Sequence, residues 1–105
     1  MADLNAKRCA SIAELRSERV AGSIELARFG DAPVTSLDQV AGIRFICPCG
    51  CGNESWLPTN RKDTSGPFWD LSGTVEAPTV RPSVFNTGMP CRWHGWLTDG
   101  VWMSC

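Results

Sequence analysis

Tyrosine is absent from this chain and histidine occurs once, at His94. Without tyrosine, the five tryptophans must supply most of the large aromatic surface. With a single histidine, any metal centre depends mainly on cysteine. A charge surplus is lacking too: ten basic residues face eleven acidic ones, for a net charge of -1. That balance excludes the basic footprint of a nucleic-acid-binding domain. No apolar run approaches the ~20 residues that cross a bilayer as a helix. The first fifteen residues have neither the apolar stretch nor the cleavage site of a secretory signal. The expectation is a cytoplasmic protein with no membrane and no nucleic-acid partner.

Cysteine, glycine and proline are abundant instead: six, ten and seven residues in a chain of 105. A chain of this length is one domain's worth and buries only about two-thirds of its unfolded surface, so a covalent or metal staple helps it. In a reducing compartment, clustered cysteines hold metal more often than they pair.

Residues 5–20 are the best helix candidate. Ser11 followed by Glu14 fits a capping box, and Gly22 stands where the helix would end. Strands are expected over residues 23–29, 42–47, 54–57, 68–71 and 77–85, with a loop or a single helical turn at 36–39. Pro78 and Pro82 remove backbone donors, so residues 77–85 suit an edge strand or a strand-like loop that could face a partner. Asp99-Gly100 between two apolar runs, 94–98 and 101–105, is a strong hairpin signal. The fold class is mainly β, a small α+β protein of antiparallel hairpins stapled by a metal, with one N-terminal helix. Residues 1–42 form the N-terminal helix and extension, and residues 43–105 the metal-binding β domain.

Two clusters carry the chemistry. Cys47, Cys49 and Cys51 sit in Cys47-Pro48-Cys49-Gly50-Cys51-Gly52, and Cys91 and His94 form a C-x-x-H step. A structural zinc site takes four cysteine or histidine ligands in a tetrahedron. These five candidates exceed that number, and the choice within the first cluster stays open. An ion shared by the two clusters would tie distant hairpins together. Cys9 reads as a packing residue and Cys105 as a spare thiol. The tryptophans read as core around the metal rather than as a ligand surface. Arg61, Lys62 and Arg81 read as solvated loop charges rather than an anion patch. Glu54, Asp70, Glu76 and Asp99 have no recognisable catalytic spacing such as H-x-E. With four ligands the metal site would be closed, which favours a structural role over an enzymatic one.

Two resemblances attach to these residues. Cys91-Arg92-Trp93-His94-Gly95-Trp96 resembles the second cluster-binding loop of Rieske proteins, which implies an iron–sulfur cluster and electron transfer. Residues 43–105 resemble a small phage and prophage family of unassigned function, through residues 45–52, Trp69, residues 77–84, residues 91–95 and the Asp99-Gly100 hairpin. That family is sometimes labelled ammonia monooxygenase. The resemblance implies a small metal-binding β domain, and some bacterial relatives lie beside ubiquitin-like conjugation genes.

The function expected from all this is a zinc-binding phage or prophage accessory protein. It would act by binding a bacterial host or phage protein, with inhibition of a host system as a variant. The alternatives are a Rieske-like iron–sulfur electron-transfer protein and a zinc-dependent hydrolase.

Overall fold

The computed structural model describes residues 3–28, 34–59, 69–85 and 92–104. In chain order the elements are β1 (Leu4–Asn5), α1 (Ile12–Glu18), β2 (Ile24–Ala27), a 3-10 turn (Leu37–Gln39), β3 (Gly42–Ile46), β4 (Glu54–Pro58), β5 (Asp70–Gly73), β6 (Pro78–Phe85), β7 (His94–Thr98) and β8 (Val101–Ser104). They build two antiparallel sheets, one of three strands in the order β2-β3-β4 and one of five in the order β1-β8-β7-β6-β5. The mostly β, small α+β class expected from the sequence holds, with one helix among the described residues.

One apolar core joins the two sheets. Ile24, Leu26, Ile43, Phe45, Cys47 and Leu57 come from the smaller sheet and its cysteine turn; Val80, Val84, Leu97 and Trp102 come from the larger one. Trp102 is the largest fully buried side chain. Its ring lies 4.9 Å from that of Phe45 and meets Trp93 edge-on at 5.4 Å. Its indole N–H donates to the carbonyl of Gly22 at 2.8 Å, so the buried ring leaves no polar atom unpaired. Truncating a core tryptophan of this kind costs roughly 3–5 kcal/mol.

The hairpin expected at Asp99-Gly100 forms β7 and β8. Both turn residues have positive φ, 48° and 75°, as the tightest two-residue hairpin turns require. Thr79 secures the turn from β6: its hydroxyl accepts the Asp99 amide at 2.8 Å, and the Gly100 amide donates to the Pro78 carbonyl at 2.9 Å.

Two expectations are corrected. The helix is shorter than residues 5–20. Ser11 caps it by accepting the Glu14 amide at 3.1 Å, and Arg19 closes it in the left-handed conformation, before Gly22 is reached. The residues ahead of the cap are drawn into sheet contacts: Leu4 and Asn5 pair with β8, and Lys7 and Cys9 exchange backbone hydrogen bonds with Ile24. Tertiary pairing there outweighs a weak apolar stripe. The second correction concerns β6, which is an interior strand, flanked by β5 and β7, and not an edge. Pro78 is tolerated as its first residue, and Pro82 falls where the ladder is interrupted between Val80 and Val84.

Candidate active site

The interruption in β6 is the key to the site. Val80 faces Leu97, and Val84 faces Gly95. Residues 81–83 of β6 therefore share the space opposite Trp96 alone. Such a bulge bends its strand and re-aims a side chain. Pro82 brings no N–H into it. Arg81 supplies donors there instead. Its Nη1 donates to the carbonyls of Val80 (2.8 Å) and Leu97 (3.1 Å), and its Nη2 to the Thr98 hydroxyl (2.9 Å). The Ser83 carbonyl in turn accepts the indole N–H of Trp69 at 3.2 Å.

Ser83 lies within this interruption. Its Oγ lies 2.9 Å from Nε2 of His94 on the neighbouring strand. The His94 ring stacks on Phe85 at a centroid distance of 5.0 Å and lies 5.9 Å from the Trp96 ring. Among the described residues, the contact with Ser83 is the hydrogen bond that this ring makes. The Phe85 and Trp96 rings both help to hold its plane. Gly95 keeps the strand close to β8, because a Cβ there would meet the Met103 carbonyl at 2.3 Å.

A serine hydroxyl is a weak nucleophile until a base takes its proton. Imidazole is the side chain whose ordinary range suits it to accept and return a proton near neutrality. The Ser83–His94 distance falls within the ~2.6–3.2 Å that such a transfer needs. This pair can therefore generate a nucleophile for acyl transfer.

The carboxylates considered from the sequence lie in other settings. Glu54 accepts two hydrogen bonds from Arg16, which hold its carboxyl below the usual range. Asp99 sits in the hairpin turn beside Thr79, and Asp70 is paired in register with Arg81. Glu76 is exposed.

The cysteines form a separate cluster at the end of β3. Cys47 is fully buried, and its amide donates to the Asn53 carbonyl at 2.8 Å. Gly50 and Gly52 take φ values of 94° and 84°, which turn the chain back within five residues. The thiol groups of Cys47, Cys49 and Cys51 all lie within 4.8 Å of one another, and these three cysteines could hold a metal ion. The Cys51 amide and the Asn53 side-chain amide point at the sulfurs of Cys49 (3.3 Å) and Cys51 (3.5 Å). Tetrahedral bonds of about 2.3 Å would set sulfurs about 3.8 Å apart, within reach of this arrangement. His94 is outside this group, on Ser83; Cys91 lies outside the described residues, as do Cys105, Arg61 and Lys62. Of the tryptophans, Trp93 and Trp102 are buried, whereas Trp56 is exposed with the Arg44 guanidinium over its ring at 5.1 Å.

A family model described as the bacterial ubiquitination-like system serine protease, BubE, matches residues 22–105. The chain belongs to that family. Neither the curated proteins nor the solved structures gave a match. The family assignment overturns the function expected from the sequence. A serine protease family is neither a zinc-binding accessory protein acting by protein–protein contact, nor its host-inhibitor variant, nor a Rieske-like electron carrier. A hydrolase was the nearest of the alternatives, yet the family is defined by serine and not by zinc. No helix among the described residues is long and apolar enough to cross a membrane.

Ser83 is the residue that the sequence did not single out. Serine is common, and residues 77–85 read as an edge strand, so nothing local marked it. The available signal was indirect: a serine directly after proline in a β-branched run, and one histidine to serve it.

Proposed function

We propose that this protein is a serine peptidase in which Ser83 is the nucleophile and His94 the general base. The observation that carries the proposal is the 2.9 Å contact between Ser83 Oγ and His94 Nε2 on the re-aimed strand, in a chain of a serine protease family. In the first step the Ser83 Oγ–carbon bond forms as the serine proton passes to His94. The acyl–nitrogen bond then breaks, and His94 returns the proton to the leaving amine. Water attacks the acyl-serine with His94 again as base, releasing the acid and restoring Ser83. The family description supports a bacterial ubiquitination-like system as the setting, and the proposed substrate is an acyl bond made or used in such a system. The test is labelling with a fluorophosphonate probe. Adduct mapped to Ser83, and lost in Ser83→Ala and His94→Ala, is the expected result. A folded protein with no adduct at Ser83 overturns the reading.

The cysteine cluster supports a structural ion at the end of β3. Three thiolates with amide N–H groups directed at two of them suit zinc, which prefers sulfur ligands and a closed shell in structural sites. Cys91, two residues ahead of buried Trp93, is the proposed fourth donor, in preference to His94, whose Nε2 is engaged by Ser83. Bound metal would tie the end of β3 to the strand that carries the base. Elemental analysis of protein purified without chelator checks this, with about one zinc per chain expected.

A further inference from the structure

Strand alternation gives the five-stranded sheet two faces. Val84, Leu97 and Trp102 point into the core. Ser83, Phe85, His94, Trp96 and Met103 occupy the alternate positions, on the opposite face. An antiparallel sheet with one face in water ordinarily makes that face polar. Here it is largely apolar around the base, with the guanidinium of the exposed Arg92 lying 5.8 Å from the centre of the Phe85 ring at its rim. Phe85 is 47% exposed and Met103 39% exposed, and Trp96 is partly exposed. Scattered exposed hydrophobes are ordinary, but these are neighbours in register. Phe85 pairs with His94, and Trp96 pairs with Met103. Together with the ring contacts of His94, they make a continuous apolar surface over three strands.

The position of this surface relative to the dyad has a chemical meaning. The proton that the base takes from serine is delivered to the leaving amine, so that amine must come within hydrogen-bond reach of the same imidazole. The leaving-group half of the substrate therefore lies over His94, and its first side chain meets what surrounds His94. On the far side of Ser83 along β6 the groups are polar: Arg81, Thr98 and Asp70. The two halves of a substrate crossing this face would thus meet different surfaces.

We infer that Phe85, Trp96 and Met103 form a subsite for a large apolar side chain on the leaving-group side of the cleaved bond. This rests on the dyad reading above and adds the substrate class to it. A leucine- or phenylalanine-sized group would cover the exposed ring edges of Phe85 and Trp96 and the Met103 thioether, whereas glycine would leave them in water. Met103 suits such a site because its unbranched side chain adapts to the group it meets.

The test uses the full chain and acyl-blocked peptides of one acyl sequence, differing only in the first leaving-group residue: leucine, phenylalanine, glycine or glutamate. The release of the new amine gives kcat/KM for each, with fluorophosphonate labelling of Ser83 run in parallel. A preference of about tenfold or more for leucine and phenylalanine over glycine is expected, the size of a discrimination built on apolar burial. In Trp96→Ala and Met103→Ser, each checked for native melting, that ratio should fall toward about one. Ser83-dependent cleavage with equal kcat/KM across the four peptides overturns the subsite and leaves the dyad standing. So does an undiminished preference in both variants, or labelling of Ser83 without cleavage of any peptide. Absence of labelling overturns the dyad and the subsite with it.

Discussion

The two sheets of this protein differ in how regular they are. In the three-stranded sheet, β3 keeps a continuous register with both neighbours: every residue from Gly42 to Ile46 faces a partner in β4, and four of them a partner in β2. In the five-stranded sheet the ladder between β6 and β7 breaks, and the break holds Pro82 and Ser83. The regular sheet carries the cysteine turn at its end, built within one short segment. The irregular sheet carries the Ser83–His94 pair, built across two strands. An unbroken ladder fixes side chains at lattice positions set by the pleat. A bulge costs ladder hydrogen bonds but shifts the register between strands, and here Ser83 meets a histidine whose partner in the ladder is Phe85.

The comparison can be broken from either side. The largest effect is expected at the irregular strand: Ser83→Ala should lower hydrolysis by at least about 10³-fold, the scale on which serine nucleophiles are lost. Its melting temperature should stay within a few degrees of the native value, because the hydroxyl is partly exposed and packs little. Steady-state rates and a thermal melt on the same sample check both. The next effect belongs to the regular sheet. Cys47→Ser should destabilise the protein by several kcal/mol on the order expected for losing a structural metal ligand, with the metal content falling in step. Chelator should mimic this in the native protein and leave the Cys47→Ser variant unchanged. Urea unfolding with parallel metal analysis is the measurement.

A third change sharpens the link between bulge and chemistry. Arg81→Ala removes the donors that Val80, Leu97 and Thr98 now share. A loss of roughly 1–3 kcal/mol of stability is expected for charged hydrogen bonds of this kind. If these bonds hold the bulge that contains Ser83, kcat should fall about tenfold or more by loss of positioning, with KM little changed. Arg81→Lys, with its single ammonium, should recover only part of this.

The smallest effect is in the link between α1 and the regular sheet. Arg16 holds the Glu54 carboxyl below its unfolded value, so the pair stabilises the fold at neutral pH. That contribution is present above the unfolded carboxyl pKa and is lost as pH falls through the lower folded one. The Arg16 side chain is 53% exposed, so solvent screening keeps the effect small. Glu54→Gln should flatten the acid slope of stability slightly, by less than about 1 kcal/mol, in urea midpoints compared at pH 7 and pH 3.

The parts of the structure legible in the sequence are those decided over a few residues. Ser11 and Glu14 mark the helix start because a cap is a three-residue hydrogen bond. Asp99-Gly100 marks a hairpin because few residues accept its positive φ values. Cys47, Cys49 and Cys51 mark a cluster because a turn containing Gly50 and Gly52 brings them together within five residues. The expected start of the helix at residue 5 failed because Ile24 and Trp102, far along the chain, offered those residues better partners.

Sequence alone carried the β-rich class, the helix cap and the hairpin turn, most of the strands apart from β1 and the end of β5, and the close approach of three thiols. All of these rest on short-range steric limits and hydrogen bonds. Only the tertiary structure decided that β6 lies inside a sheet, that its prolines sit at the start and at a bulge, and that Ser83 meets His94. Those outcomes depend on strand order and register, which are set by burying Val80, Val84, Leu97 and Trp102 together. No local pattern encodes a contact made by a bulge on one strand with a ring on the next.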